Sequence, residues 1–431
     1  MVLVRGATGA LPDVTQAPPV STSGRRHEIP AVYDGPDLDL VAQASGLSRD
    51  DVIRVHAERE YTVDLIGFLP GFAYMQEVDP RLVMPRRPSP RPLVARGSIG
   101  IAGTMTGIYP FASPGGWNLL GRAPATRVCD PQRTPATLFA PGDVVRFVPR
   151  DDVEDVVEHT PTPPTVTRGL RILSIQAGAT IQDGGRRGLL GQGIAPSGAL
   201  DGEALALANG VVGNPAGAAA VEIPLGGAEL GAVGDLLLAT DDGDVHHLRD
   251  GDRVAIAPSS RAVRYVAVAG GVEVPVVLGS RSTLLVARLG GFLGRGLRKG
   301  DVIPVGNSTG TPVSVEPLRS GDVEVSPGPH LDRFPAGAWG ALLRGTWRIS
   351  PLMDRVGVRL EGSRIPREGP DLALPCPMIR GAIQVTTDGT PIILGPDHPA
   401  TGGYPVLAVV RAGSLGALAR LRPGASVRFR P

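Results

Sequence analysis

Within Gly395-Pro-Asp-His-Pro-Ala-Thr-Gly-Gly-Tyr404 an Asp precedes a His, and a Thr-Gly-Gly follows three residues on. An adjacent Asp can orient an imidazole or raise its pKa, while Thr-Gly-Gly can offer a hydroxyl and peptide N–H groups to an oxyanion. The alternative is a turn whose Asp caps local N–H groups. A second constellation lies in the first half, from Gly97 to Arg122, where seven glycines and two prolines surround a few bulky apolar residues. Its polar groups are Thr104, Thr106, Tyr109, Ser113, Trp117, Asn118 and Arg122, with many exposed peptide N–H groups including those of Gly115 and Gly116. That inventory suits an anionic or amide-bearing small molecule, and the bland alternative is a barrel corner. His330 and the pair Asp354-Arg355 are further candidates, although Asp354 and Arg355 read more readily as a structural ion pair.

Several chemistries are excluded by what is missing. The single lysine, Lys299, stands in Leu-Arg-Lys-Gly-Asp, and Leu297 occupies the lysine place of a Gly291 to Gly296 spacing, so there is no P-loop. A biotin attachment lysine between methionines is absent too, as is a Gly-x-Ser-x-Gly nucleophile elbow. His246 and His247 are adjacent on a strand, where neighbours face opposite ways, and two cysteines, Cys129 and Cys376, are too few for a zinc site, so no metal is expected. A net charge of +1 gives no electrostatic footprint for nucleic acid or a membrane surface. With no run of about 18 apolar residues and no secretory leader, a cytoplasmic protein is expected.

The elements that position these groups follow from composition. Fifty-nine glycines and 43 prolines without a collagen-like period point to many short strands and turns, hence a mostly β protein with a few short helices. Residues 1–28 read as a disordered leader, 29–150 as a first barrel domain, 151–168 as a solvated Pro/Thr-rich linker, and 169–431 as a region of two barrel subdomains. The division of that region is expected near 310–320, with strands free to interleave. Ser48-Arg-Asp-Asp51 resembles a capping box before a helix reaching about Arg59, and Asp201 can cap a helix from Gly202 to about Val212. His56, on the first of these, reads as a packed or solvated side chain. Four segments, beginning Pro141-Gly-Asp, Asp250-Gly-Asp, Lys299-Gly-Asp and Pro423-Gly-Ala, each place a Gly turn before an alternating strand.

Gly67-Phe-Leu-Pro-Gly-Phe-Ala-Tyr74, together with the Gly97 to Arg122 stretch, resembles the C-terminal part of the B component of bacterial 5-oxoprolinase, the KipI or "allophanate hydrolase subunit 1" family. From Ile175-Gln-Ala-Gly-Ala-Thr-Ile-Gln-Asp-Gly-Gly-Arg186 onward the chain is similar to the C component of that enzyme, the KipA or "allophanate hydrolase subunit 2" family. Pro196-Ser-Gly-Ala-Leu-Asp201, Pro327-Gly-Pro-His-Leu-Asp332, Ser350-Pro-Leu-Met-Asp-Arg-Val-Gly357, Gly381-Ala-Ile-Gln384 and Thr401-Gly-Gly-Tyr-Pro405 carry that second likeness. The joined modules also resemble the carboxyltransferase region of urea carboxylase. The resemblance implies tandem cyclophilin-like β-barrels and a fused B/C component of an ATP-dependent 5-oxoprolinase, a lactam hydrolase acting with a separate protein like the A component of 5-oxoprolinase. Other functions in reach are a carboxyltransferase using biotin carried elsewhere and a regulator of a sensor kinase. The resemblance makes Asp397, His398 and Thr401 the first catalytic candidates, with Gly402, Gly403, Tyr404, His330, Asp354, Arg355 and Gln384 binding substrate. On the first half it adds Thr106, Tyr109, Gly115, Gly116, Trp117 and Arg122. It further implies ATP held without a P-loop, no attached biotin, a small-molecule substrate and self-association. The small α/β domain usual at the start of the B component has only the Pro/Thr-rich leader in its place.

Overall fold

The computed structural model describes residues 24–156, 161–307, 310, 311, 313, 318, 321–372 and 374–431. Strand accounts for 35% and helix for 14%. The chain forms two compact units. No helix among the described residues is long and apolar enough to cross a membrane.

Among the described residues, the first unit comprises 24–156 with 189–194 and 399–401. Its seven-stranded sheet runs in the order Arg26–Ala31, Val144–Pro149, Glu60–Ile66, Ala73–Gln76, Met105–Ile108, Ser98–Ala102, Asn118–Arg122. The two edges meet beyond the first and last strands: the Val32 N–H donates to the Arg122 carbonyl at 2.9 Å and the Arg122 N–H to Val32 at 2.8 Å. That bridge nearly closes a barrel and hides edges that would otherwise pair with other chains. It depends on a bare backbone, since a Cβ on Gly121 would lie 2.2 Å from the Val32 carbonyl oxygen. Two helices, α1 (Leu38–Ser45) and α2 (Arg49–Ala57), lay Leu38, Val41, Val52 and Val55 on the barrel core beside Tyr61 and Phe147. Ser48 caps α2 as its spacing predicts, its Oγ accepting from the Asp51 N–H at 3.1 Å.

The first strand begins at Arg26, three residues ahead of the expected start, and residues 1–23 of the expected leader lie outside the described residues. The acidic half of the expected linker is exposed and makes two contacts with the first unit. Asp155 pairs with Arg96 at 2.5 Å and the Val156 N–H reaches the Pro124 carbonyl, while residues 157–160 lie outside the described residues.

The second unit comprises the described residues within 161–188, 195–398 and 402–431. Between 169 and 307 a four-stranded sheet (Arg253–Ile256, Ala228–Val233, Gly169–Ile175, Val302–Pro304) shares one core with a five-stranded sheet (Thr180–Gln182, Ala220–Pro224, Val263–Val268, Leu236–Thr240, Val245–Leu248). Helix α3 (Gly202–Val211) covers the second of these through Ala204, Leu205 and Ala208. From 321 onward an eight-stranded sheet runs Ser426–Val427, Trp347–Met353, Gly357–Glu361, Pro391–Leu394, Ala382–Val385, Val406–Val410, Val323–Pro327, Phe429–Arg430. Both of its edges come from one short run at the C-terminus, separated only by Arg428, so this sheet also curls nearly shut. Helices α4 (Ala338–Arg344) and α5 (Leu415–Ala419) pack against it. Among the described strands none of the 169–307 set shares a sheet with the later set.

All four repeated turns take one form. Gly142, Gly251, Gly300 and Gly424 have φ of 89°, 82°, 93° and 82°, a region that favours glycine, and a strand starts two residues after each. In the first three the following Asp accepts the N–H three residues before it: Asp143 from Ala140, Asp252 from Arg249, Asp301 from Arg298.

His56 sits wholly inside the first core. The Thr106 hydroxyl donates to the Gly100 carbonyl at 3.1 Å, so it accepts from His56 Nε2–H at 3.0 Å, and His56 Nδ1 accepts from the Tyr33 hydroxyl at 2.7 Å. The ring is therefore neutral, and burial lowers its pKa from 6.5 to about 3. Between those values the unfolded chain binds a proton that the folded one does not. This contribution to stability is complete above pH 6.5 and is lost as pH falls, by about 1.4 kcal/mol per unit. Chemical denaturation of the first unit at pH 7 and pH 5 should differ by about 2 kcal/mol more in the parent than in His56→Gln; equal pH dependence in the two would contradict the buried neutral ring.

Candidate functional site

Arg355 occupies the turn between Trp347–Met353 and Gly357–Glu361, and it does not pair with its neighbour. Asp354 accepts the N–H groups of Val356 and Gly357 at 2.8 and 3.1 Å, closing its own turn, which corrects the expected Asp354-Arg355 ion pair. The guanidinium turns inward instead. Its Nε and Nη2 grip Asp397 Oδ2 and Oδ1 at 2.9 and 3.0 Å, its Nη1 meets Glu222, and Nη2 also donates to the Gly198 carbonyl at 2.7 Å. The three side chains are only 12%, 7% and 4% exposed for Arg355, Asp397 and Glu222. Burial works against the Arg355 charge, but the two carboxylates outweigh it and push the pKa up.

The network extends beyond this pair. Glu222 Oε2 accepts from the Tyr265 hydroxyl at 2.5 Å and from the Leu200 N–H at 2.9 Å; the same hydroxyl accepts the Asp201 N–H at 3.0 Å. Asp201 caps α3 and pairs with Arg420 Nε at 2.7 Å. Sequence reasoning identified Asp201 only as a cap and missed Glu222, Tyr265 and Arg420. The one linear signal was an acidic residue inside the apolar strand Ala220–Pro224, where an uncompensated charge is costly. Asp397 is thus held by Arg355, and the next residue, His398, has a fully buried side chain.

The half-buried candidates gather around Val406. The Val406 N–H donates to His330 Nδ1 at 3.1 Å, which places the His330 proton on Nε2, and burial lowers this imidazole's pKa. Gln384 is in register with Val406, and its Oε1 lies 3.4 Å from where a Cβ on Gly402 would be. Gly402, Gly403 and Tyr404, all partly exposed, continue the same rim. The arrangement offers an imidazole N–H and a carboxamide to a ligand oxygen beside a backbone kept low by two glycines.

In the first unit the expected substrate residues are occupied internally. Thr106 is fully buried in the His56 network. Tyr109 and Trp117 join Phe68, Phe72 and Tyr74 in edge-to-face contacts with centroids 5.0–6.4 Å apart, so they build a second small core. Burial raises the Tyr109 pKa to about 12. Gly115 makes room for it, because a Cβ there would stand 2.5 Å from the Tyr109 hydroxyl. The Gly116 carbonyl accepts from the Arg87 N–H at 2.8 Å, and Arg122 pairs with Asp34 at 2.8 Å. Thr401, also in this unit, accepts from the Phe68 N–H at 2.9 Å and bonds Tyr74. Gly67 is small for the same reason, since its Cβ would lie 2.1 Å from Thr401 Oγ1. Arg87 and Arg91, which the arginine-rich composition hides, converge on buried Asp37 at 3.0 and 2.7 Å.

Arg355→Lys leaves one carboxylate without its fork and should lower the unfolding free energy of the second unit by about 3–5 kcal/mol. Tyr265→Phe, which strips one donor and one acceptor from buried partners, should cost about 1–3 kcal/mol. Thermal or urea unfolding reads both, and parent-like stability in either would contradict the network.

The domain description "Carboxyltransferase domain, subdomain C and D" matches residues 7–139, and "Carboxyltransferase domain, subdomain A and B" matches residues 192–431. The C component of the 5-oxoprolinase of Escherichia coli is 34% identical over 279 residues, 60% of this chain and 90% of that protein. The B component of the 5-oxoprolinase of Bacillus subtilis is 46% identical over 124 residues, 28% of this chain, and the match spans only 51% of that protein's length. A urea amidolyase of Lachancea kluyveri is 31% identical over 60% of this chain and 17% of its own length. The crystal structure of TTHA0988 superposes with a TM-score of 0.83 at 36% identity, covering 94% of this chain and 86% of that one. The chain therefore belongs to the carboxyltransferase-domain family, with its C and D subdomains ahead of its A and B subdomains in one polypeptide.

Proposed function

We propose that the chain supplies the B and C parts of a 5-oxoprolinase, opening 5-oxo-L-proline to L-glutamate with ATP and a separate protein like that enzyme's A component. The observation that carries this reading is the union in one polypeptide, B region first, of segments similar to two proteins named as components of that enzyme. A lactam resists water because its amide is resonance-stabilised, and phosphorylation of the lactam oxygen would make the carbon a better electrophile. The neutral His330, with its proton on Nε2, is the group we assign to donate to the lactam oxygen, with Gln384 beside it. Asp397, gripped by Arg355, holds the loop in this reading. The Gly291 to Gly296 stretch does not suit ATP phosphates: Leu297 belongs to the core, and a Cβ on Gly291 would lie 1.9 Å from the Thr283 hydroxyl. ATP is accordingly assigned to a pocket that is not a P-loop or to a surface shared with the partner.

A carboxyltransferase role is the second reading, favoured by the likeness to urea amidolyase. Glutamate release from 5-oxoproline, assayed with ATP and an A-component-like protein, should require this chain. His330→Asn, which keeps an acceptor for the Val406 N–H but loses the imidazole N–H, should lower kcat about 100-fold without unfolding the protein. Carboxyl transfer from carboxybiotin without glutamate release would favour the second reading, and kinase binding without either turnover would point to a regulator.

A further inference from the structure

Two motifs remain without a role, Gly184-Gly-Arg186 and Pro196-Ser-Gly198. They lie side by side: the Arg186 N–H donates to the Pro196 carbonyl at 2.6 Å, and a Cβ on Gly185 would stand 3.1 Å from the Ser197 carbonyl. Arg186 is 2% exposed, and one of its N–H groups meets the Ser282 carbonyl, yet Nε and Nη1 have no acceptor among the described residues. Ser197 is 4% exposed, and its Oγ likewise has no partner among the described residues. Its backbone takes φ of 53°, unusual for a residue with a Cβ, and is held there by a bond from its N–H to the Pro396 carbonyl at 3.0 Å.

The neighbouring acids do not serve Arg186. Asp183 accepts from Ser280, Ser282 and the N–H groups of Gly185 and Arg281, and Asp397 is taken by Arg355. A buried guanidinium with unmet donors is costly unless an anion meets it. We propose that Arg186 and Ser197 form a binding site for a small carboxylate. A planar guanidinium matches a carboxylate, and the Ser197 hydroxyl adds one more donor. With a single positive charge and Asp397 nearby, the site favours a monoanion over a phosphate dianion. Burial lowers the Arg186 pKa, and Asp183 and Asp397 offset that only in part, so the buried charge lacks full compensation. This site is independent of the reaction assigned to the His330 rim.

The test is a thermal-unfolding titration of the full chain at constant ionic strength with acetate, 5-oxoproline, inorganic phosphate and the uncharged lactam 2-pyrrolidinone. Acetate should raise Tm, whereas phosphate should act more weakly and 2-pyrrolidinone not at all. Arg186→Gln and Ser197→Gly should each weaken acetate at least 10-fold, and the glycine variant keeps the backbone conformation if the first does not fold. The proposal is overturned if acetate leaves Tm unchanged, or if either folded variant responds as the parent does. A response to acetate but not to 5-oxoproline supports the carboxylate site and limits it to acids smaller than the lactam, leaving the 5-oxoprolinase reading to the turnover assay.

Discussion

A guanidinium taken out of water and set between two carboxylates governs the second unit. Removing three charges from solvent costs several kcal/mol for each, and the cost is offset only if every member is met with good geometry. Arg355 achieves this by reaching Asp397 with a two-point grip while touching Glu222 and the Gly198 carbonyl. Glu222 in turn orients Tyr265, and Tyr265 meets the residue that caps α3. A strand of the 169–307 sheets, a hairpin turn and the loop ending at Tyr404 are thereby fixed by one connected set of bonds. The His330 rim stands at the end of that loop, so its glycines can stay bare without the loop losing its shape.

The first unit solves its own problem through packing. Its barrel shuts where two edges exchange hydrogen bonds across a glycine, and the buried imidazole of His56 ties α2 to the strand carrying Thr106 without a charge. The aromatic cluster around Phe72 fills what the glycine-rich strands leave open. Thr401 lies against Gly67 and Phe68, where only a residue without a Cβ leaves room.

Local rules make much of this legible. The Gly-Asp turns can be read because a positive φ and a backward-reaching carboxylate need only four consecutive residues, and the caps at Ser48 and Asp201 are equally local. The strand-rich class follows from glycine and proline content. What escapes are pairings across long separations. Proximity in sequence matches Arg355 with the adjacent Asp354, although its partners stand 42 and 133 residues away. Arg87 and Arg91 are lost among the many arginines, although Asp37 waits 50 and 54 residues earlier. Tyr109 and Trp117 carry two meanings in the sequence, pocket or core, and only their neighbours decide for core. His330 is a lesser candidate because nothing near it in sequence reveals that Val406 fixes its tautomer.

The most direct test of the Arg355-centred account is a double-mutant cycle between Arg355→Met and Asp397→Leu, read by urea unfolding of the second unit. Arg355→Met strands Asp397 and Glu222, Asp397→Leu leaves Arg355 with Glu222 alone, and the double change removes both partners of the two-point grip so that only Glu222 is left without its cation. The account predicts that the double variant is more stable than the sum of the single losses implies, with a coupling of about 2 kcal/mol. Additive losses within about 0.5 kcal/mol would contradict it.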